Sequence, residues 1–310
     1  MLGGILGLML GLGLAFILHR LDRRLRDPSQ LEEIYGVPVV GVVPESAALN
    51  RSEWTDGPRV PPPPAEAEIF GLLRAHIRYF NVDRELRVVV VVSAAPGDGK
   101  TTVARNLAIA SATVGSRVLF VEADLRRPAA AKSFGVAGEP GVAEVLIGAE
   151  SFDGALQRVE LATGEETSLG LDVLVAGGVL PPNPPQVIES QAMVSLLEEA
   201  RDRYDLVVID TPPLALLPDA FPLLRHADGV LIVSRLRRNR SDVAERFRAT
   251  LESANAPVIG VVANGFKRPR GSSDGYGYSY TYDYTEYRAT APESQAGQNG
   301  STPGRATAKK

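Results

Sequence analysis

The chain has 310 residues, a formal net charge of −4 at pH 7 and a hydrophobic share of 45%. This length allows two domains, or one α/β domain with appendages, and the apolar content is enough to build a real core. The sequence contains no cysteine, which excludes disulfides and thiolate metal sites, and its slightly acidic balance gives no reason to expect nucleic acid as a partner.

The first predicted element is a membrane helix in residues 1–19. Residues 2–18 carry no charged side chain, and arginines begin at position 20. Because the positive charges follow the apolar run, the positive-inside rule predicts a single pass through the cytoplasmic membrane with the later chain in the cytoplasm. Small residues recur at every fourth position, which suits close helix packing or reflects the glycine content of membrane helices: Gly3, Gly7, Gly11 and Ala15.

Residues 20–64 are predicted to form a juxtamembrane segment and linker. A short helix is expected at 29–35 and a strand at 39–43, followed by a polar, proline-rich stretch that ends in four consecutive prolines at 61–64. Consecutive prolines favour extended polyproline geometry and act as a semi-rigid spacer. We therefore expect the main domain to occupy residues 65–266.

From residue 65 onward, predicted helices alternate with predicted strands. An amphipathic helix is expected at 65–80, and the strands are near-continuous Val, Ile and Leu runs, typical of strands that are buried on both faces. Strands are predicted at residues 87–93, 117–122, 171–176, 206–210, 229–234 and 257–263. Helices are predicted at residues 100–114, 186–203, 218–225 and 240–254. This alternation predicts an α/β fold with a doubly wound, mostly parallel sheet.

A phosphate-binding loop is predicted between the first of these strands and the helix that follows it. Glycines let the backbone N–H groups turn inward, and the helix N-terminus favours an anion. Lys100 can reach terminal phosphates, and the hydroxyl of Thr101 can ligate Mg²⁺. The strict pattern G-x-x-x-x-G-K-[ST] is not met, since Ala94 takes its first glycine position, so the segment alone could also be an ordinary turn. The residues predicted to bind nucleotide are Pro96, Gly97, Asp98, Gly99, Lys100, Thr101 and Thr102.

Acidic residues stand at the ends of two later strands, at Glu122 and Asp124 and at Asp210. Ligands of open α/β sheets bind beyond the carboxyl ends of the strands, and an unpaired buried carboxylate is costly unless a cation approaches it. Asp210, with Thr101 and Asp124, is predicted to hold Mg²⁺, and Asp124 or Glu122 to orient or deprotonate an acceptor. The alternative for each acid is helix capping. However, the phosphate-binding loop also follows a strand end, and this coincidence at three strand ends favours an ATP site.

The carboxyl-terminal tail, residues 267–310, loses the apolar periodicity and is predicted to be flexible. It carries a cluster of tyrosines: Tyr276, Tyr278, Tyr280, Tyr282, Tyr284 and Tyr287. Alternating tyrosines also suit an added edge strand or a low-complexity adhesive segment. A flexible segment that bears hydroxyl groups beside an ATP site is, however, what a self-phosphorylating enzyme would carry.

These features together resemble the bacterial tyrosine autokinases of capsule and exopolysaccharide synthesis. Residues 95–102 are similar to the Walker A loop of that family, 122–126 to its Walker A′ motif and 210–213 to its Walker B motif. The membrane helix and residues 36–44 resemble the junction between a polysaccharide co-polymerase and its kinase domain. Residues 177–184 resemble a proline–asparagine segment of the group.

Two positions depart from the family pattern. Walker A′ usually begins with aspartate, and this chain has Glu122, which leaves the role of that position open. The helix before the first strand usually carries E-x-x-R-x-x-R for oligomer contacts; Glu68 and Arg74 match it, but Gly71 stands in the middle. We therefore expect weaker assembly through that motif.

The resemblance implies Mg²⁺- and ATP-dependent transfer of the γ-phosphoryl group to tail tyrosines, between protomers of a homo-oligomer. In that scheme Lys100 neutralises phosphate charge, Thr101 and Asp210 hold Mg²⁺, and Asp124 or Glu122 accepts the tyrosine proton. The implied partners are the membrane, the polysaccharide polymerase and export machinery, and a tyrosine phosphatase.

Two other functions remain open at this point. A partition- or division-site-type ATPase is disfavoured, since its signature lysine would fall at Ala95. A nucleotide-binding scaffold of a polysaccharide exporter, without catalysis, is the second alternative.

Overall fold

The computed structural model describes residues 22–49, 63–79, 85–161, 169–179 and 181–267, with residues 3, 7, 9–11 and 13 near the amino terminus. Most of the predicted membrane helix, most of the proline-rich stretch and the whole tyrosine cluster lie outside the described residues. Within the described part of the chain, no helix combines the length and the apolar character needed to cross a membrane.

Eight strands form one sheet at the centre of the fold. They are β1 (Val39–Pro44), β2 (Val88–Val92), β3 (Val118–Glu122), β4 (Gln157–Leu161), β5 (Leu169–Leu174), β6 (Leu206–Asp210), β7 (Gly229–Arg235) and β8 (Val258–Phe266). Their order across the sheet is β1-β8-β7-β2-β6-β3-β5-β4. Every neighbouring pair is parallel except β4 and β5, which are antiparallel. The predicted α/β fold with a mostly parallel sheet is confirmed.

Helices cover both faces of this sheet, each over its own apolar cluster. They are α1 (Pro28–Tyr35), α2 (Pro64–Tyr79), α3 (Lys100–Ala112), α4 (Ala130–Phe134), α5 (Val142–Leu146), α6 (Phe152–Ala155), α7 (Pro184–Ile188), α8 (Gln191–Arg203), α9 (Phe221–Leu224) and α10 (Ser241–Ser253). Helices α2, α3 and α4 bury apolar side chains in one cluster, and α1, α8 and α10 in the other.

Strand β2 shows why the strands have continuous apolar sequences. Val88, Val90 and Val92 belong to one cluster, whereas Val89 and Val91 belong to the other. Successive side chains of a strand point to opposite faces, so a strand with helices on both sides needs an apolar residue at every position.

Several short elements were not predicted from the sequence. Helices α4 to α6 and strand β4 fill the stretch between β3 and β5, and each is at most five residues long, too short for periodicity to reveal. The helix predicted at 186–203 is in fact α7 and α8. The chain leaves the helical conformation at Ser190, whose hydroxyl caps α8 by accepting the N–H of Met193.

The segment predicted to precede the main domain contributes two elements to the same sheet and core. Helix α1 begins with a capping box, in which Asp27 accepts the N–H of Ser29 at 2.9 Å and Gln30 accepts that of Asp27 at 3.1 Å. Strand β1 pairs with β8 and forms one edge of the sheet. The sheet therefore includes residues before 65, where the sequence placed the start of the domain.

Residues 23–25, just before α1, hydrogen bond to the loop between β7 and α10 and to the first residue of α10. The N–H of Leu25 donates to the carbonyl of Asn239 at 2.9 Å, and the N–H of Ser241 donates to that of Arg23 at 2.9 Å. Leu25 itself is buried. This short ladder fixes a loop that contacts the predicted phosphate-binding loop.

Replacing Leu73 of α2 with alanine is expected to lower the free energy of unfolding by about 2–5 kcal/mol, since the truncation leaves a cavity in the core. The side chain is fully buried, and its Cδ1 would lie 3.2 Å from a Cβ placed on Gly41 of β1. Chemical denaturation of the purified protein measures the loss. Leu72→Ala, on a partly exposed position of the same helix, is the control. Equal losses in the two variants would contradict the packing of α2 on β1.

Candidate active site

The loop between β2 and α3 turns sharply at two glycines. Gly97 has a φ of 76° and Gly99 a φ of 95°, a region that side chains with a Cβ rarely adopt. A Cβ on Gly99 would lie only 2.1 Å from Nδ2 of Asn264, which donates to the carbonyl oxygen of Asp98 at 2.6 Å. Helix α3 starts at Lys100, and no side chain of the described residues caps its N-terminus. Its first N–H groups therefore form the kind of site that binds phosphate.

Asp98 braces this loop from inside. It is fully buried, and its Oδ2 accepts the N–H of Ala95 at 2.9 Å and the side-chain amide of Asn239 at 3.0 Å. Burial raises the pKa of the Asp98 carboxyl, and the bonds from Asn239 and Ala95 oppose that rise. Asp98 was predicted as one of the nucleotide-binding residues, and the structure places its carboxylate on the loop's own backbone.

Asp210 lies at the end of β6, opposite Val91 of β2 and Glu122 of β3. Its Oδ2 accepts the hydroxyl of Thr101 at 2.6 Å, so the first turn of α3 is joined to β6. The residue is 1% exposed, and its Oδ1 is buried without a hydrogen-bond partner among the described residues. Burial raises the pKa of Asp210 to about 7, although the charge of Lys100 and the bond from Thr101 act in the opposite direction.

Thr101 and Asp210 fit a magnesium ion. A buried oxygen without a donor is costly unless a positive group comes close to it. A carboxylate and a hydroxyl are oxygen ligands of the type that Mg²⁺ takes, and the ion usually completes its shell with water and substrate phosphates. In the part of the chain that the structure describes, no three or more His, Cys, Asp or Glu side chains group into a metal site.

Lys100 and Asp124 lie beside this pair. Lys100 is 7% exposed, and its positive charge acts on the carboxyls of both Asp124 and Asp210. Asp124 is half-buried, and its Oδ1 accepts the N–H of Arg127 at 3.1 Å. Burial raises the pKa of Asp124, and the bond from Arg127 and the charge of Lys100 oppose the rise. Asp124 is therefore the more accessible of the two aspartates.

Glu122 has a different environment. It is 1% exposed, and its Oε1 accepts the N–H groups of Ala129 at 2.5 Å and Ala130 at 2.7 Å, while Oε2 accepts that of Ala176 at 3.0 Å. Burial raises the pKa of the Glu122 carboxyl, and these three bonds counteract the rise. Glu122 was predicted as a possible base. In the structure, both of its carboxylate oxygens accept hydrogen bonds from backbone N–H groups.

Three residues join the site only through the tertiary structure: Asn239, Asn264 and Asp219. Asp219 is buried and forms an ion pair with Arg126, two residues after Asp124. Asn264 follows the apolar run 258–263 of β8, so the reasoning applied to Asp210 could have found it. Asp219 lies in a short 3₁₀ helix, Pro218–Ala220, and Asn239 lies in the loop before α10; no sequence pattern singled them out.

Comparison with known proteins shows which proteins the chain is similar to. Residues 86–254 match a protein family described as an AAA domain. The chain is 34% identical over 304 residues to the putative tyrosine-protein kinase EpsB of Ralstonia nicotianae; the match covers 94% of this chain and 39% of that protein. It is 35% identical over 215 residues to the tyrosine-protein kinase YwqD of Bacillus subtilis, with 69% of this chain and 87% of that protein covered.

A solved structure of a tyrosine kinase domain is also similar to this chain. The kinase domain of the Escherichia coli tyrosine kinase ETK superposes with a TM-score of 0.69 at 31% identity, and the match covers 81% of this chain and 100% of that domain. The chain spans about two fifths of the length of the Ralstonia relative.

Gly99→Ala is expected to abolish binding of Mg²⁺-ATP, since a Cβ at this position would displace Asn264 and distort the loop. Calorimetry or a fluorescent ATP analogue measures the loss. Gly115→Ala is the matched control, because Gly115 has a similar φ of 86° but no atom within 4 Å of an added Cβ. It carries the backbone strain alone, about 1–2 kcal/mol, and should bind nucleotide normally. Normal binding by Gly99→Ala would contradict the assigned loop geometry.

Asp210→Asn is expected to make the protein more stable than the wild type at about pH 8 without Mg²⁺. The folded state raises the pKa of Asp210 from 3.8 to about 7, so the stability it contributes is present at low pH and is lost as pH rises between these values. The difference should shrink towards about pH 4. Thermal unfolding in chelator across this range measures it.

The matched control for this prediction is Asp205→Asn. Asp205 is an exposed carboxylate whose pKa is lowered by its hydrogen bonds with Arg117, so its removal should give no gain in stability at high pH. A loss of stability in Asp210→Asn at every pH would show that the buried charge of Asp210 does not destabilise the folded protein.

Proposed function

The chain belongs to the bacterial tyrosine-protein kinases, and we propose that it transfers the γ-phosphoryl group of ATP to tyrosines of its own carboxyl-terminal tail. The observation that carries the proposal is the contact between Thr101 and Asp210 beside the phosphate-binding loop, with one buried Asp210 oxygen left open. The kinases to which the chain is similar support the reaction type.

In this proposal the loop 96–102 binds the phosphates through its N–H groups and through Lys100, whose charge offsets the charge of the terminal phosphates. Thr101 and Asp210 hold the metal. A bound Mg²⁺ would neutralise charge on the phosphate oxygens and orient them for in-line displacement.

Asp124 is the group that we assign to the acceptor. The tyrosine oxygen attacks the γ-phosphorus, the bond from phosphorus to the β–γ bridging oxygen breaks, ADP leaves, and the phenol proton passes to the Asp124 carboxylate. Its partial exposure favours this role over Asp210, whose pKa is raised as well but which is buried against Thr101.

We propose that the acceptors are the six tyrosines of residues 276–287, in the tail of a neighbouring protomer. These residues lie outside the described part of the chain, and the support for their role is their density in a segment without aliphatic side chains. Each phosphate adds about −1.5 to −2 charges, so a heavily modified tail would repel its neighbours. Assembly and dispersal of the oligomer would then follow the phosphorylation state.

The proposed cellular role follows from the resemblance to capsule and exopolysaccharide kinases. The predicted helix in residues 1–19 would anchor the enzyme in the cytoplasmic membrane, next to a polysaccharide polymerase and export machinery. A tyrosine phosphatase would reset the tail.

Incubation of the full chain with Mg²⁺-ATP in detergent is expected to produce phosphotyrosine, detected by mass spectrometry and mapped to residues 276–287. Lys100→Met should abolish the signal, because the terminal phosphates lose their cation. A variant with all six tail tyrosines changed to phenylalanine should keep ATP binding and lose the signal.

A mixing experiment tests transfer between protomers. The Lys100→Met chain, which keeps its tyrosines, is combined with the tail-phenylalanine chain, which keeps its catalytic residues. Phosphotyrosine on the first chain is the expected result. A wild-type chain that binds ATP and never forms phosphotyrosine would instead support a nucleotide-binding scaffold.

A further inference from the structure

Two buried carboxylates stand side by side at the carboxyl end of the sheet. Strands β3 and β6 are neighbours, and their register places Glu122 opposite Asp210. Both residues are 1% exposed. Their hydrogen bonding differs: one oxygen of Asp210 has no partner among the described residues, whereas Glu122 accepts three backbone N–H groups. A carboxylate offers about four acceptor positions, so Glu122 has little capacity left.

The first oxygen of Glu122 holds the start of α4. Ala129 is the N-cap residue of this helix, and it has no side chain that could cap it. Glu122 supplies the missing acceptor from the end of β3, and it binds the N–H groups of both Ala129 and Ala130. The loop 123–129 carries Asp124. Its first residue continues the backbone of β3, and its last residue is hydrogen bonded to the side chain of Glu122, so the loop is held at both ends.

The second oxygen of Glu122 holds the loop that follows β5. It accepts the N–H of Ala176 at 3.0 Å. Farther along this loop, Oε1 of Glu144 accepts the N–H groups of Gly178 at 3.0 Å and Val179 at 2.9 Å. Two carboxylates thus secure residues 176–179 to the end of β3 and to α5.

The length of the side chain suits this task. An aspartate at position 122 would end one methylene earlier, about 1.5 Å short of the present carboxylate. It would keep the charge, but it would not reach the three backbone donors without movement of the loops. Reach therefore matters more than charge at this position.

We propose that Glu122 is a positioning residue, which clamps the loop 123–129 and the loop at Ala176 so that Asp124 is held facing the acceptor. The effect on catalysis rests on the proposed kinase function, whereas the clamp itself does not depend on it. The proton of the acceptor goes to Asp124 and not to Glu122.

Two substitutions separate the clamp from direct chemistry. Glu122→Gln keeps the reach and one acceptor oxygen but loses the charge; Glu122→Asp keeps the charge but loses the reach. Hydrogen exchange of the full-length protein in detergent reports the amides of Ala129, Ala130 and Ala176. Each Glu122 variant then serves as the enzyme and the Lys100→Met chain as its substrate. The rate of phosphotyrosine formation on that substrate gives kcat and the KM for ATP.

The clamp predicts faster exchange at all three amides in Glu122→Asp and, in Glu122→Gln, at the amides on the side where the NH2 group replaces an acceptor oxygen, while the amides of β2 stay protected and show that the fold is intact. It also predicts that kcat falls about tenfold in Glu122→Gln, and at least as far in Glu122→Asp, with the KM for ATP within about twofold of the wild type. If one variant does not fold, the other still tests the exchange at the three amides.

The opposite ranking would overturn the proposal. A base or direct metal ligand at this position would leave Glu122→Asp active and reduce Glu122→Gln by about a hundredfold or more, with unchanged exchange at the three amides. Glu144→Gln is the matched control: like Glu122→Gln it keeps one acceptor oxygen, so it loses either the bond from Gly141 or the bonds from Gly178 and Val179, and it should lower kcat less than either variant of Glu122.

Failure of the proposed function gives a different result. A wild-type chain that forms no phosphotyrosine removes the kinetic comparison and refutes the kinase proposal. The exchange at Ala129, Ala130 and Ala176 still decides whether Glu122 clamps these loops.

Discussion

The site depends on one contact, the hydrogen bond between Thr101 and Asp210. It joins the first turn of α3 to the end of β6, and these elements lie more than one hundred residues apart in the chain. The contact is possible because β2 and β6 are neighbouring parallel strands that end at the same level. Burial leaves one Asp210 oxygen without a donor, and this cost is what a cation would relieve. A cation at this place would therefore offset the cost of burying Asp210.

The phosphate-binding loop does not hold its shape alone. Asn264 occupies the space that a side chain at position 99 would need, and Asn239 donates to the buried carboxylate of Asp98. The backbone of Asn239 is in turn held by residues 23–25. Residues 23–25, which are close in sequence to the predicted membrane helix, thus support the phosphate-binding loop through Asn239. The domain consequently includes residues that the sequence assigned to a linker.

Three acids of similar sequence context have three different environments. Asp210 is buried with an open oxygen, Asp124 is half-buried and accessible, and Glu122 is buried with its oxygens occupied by backbone N–H groups. The difference follows from what lies opposite each side chain: a hydroxyl and a helix N-terminus, solvent, or the backbone of two loops. A motif of acids at strand ends consequently predicts a site, but it does not assign the roles within it.

The sequence by itself determined the α/β class, the parallel sheet and the position of the loop at 93–102. Continuous apolar strands, glycines and acids at strand ends are local patterns, and they can be recognised in the sequence without knowledge of the fold. Only the tertiary structure decided that β1 belongs to the sheet, that Asn264 and Asn239 support the loop and that Glu122 faces backbone amides. Each of these depends on a partner that is distant in the chain, and pairing across such distances leaves no periodic pattern in the sequence.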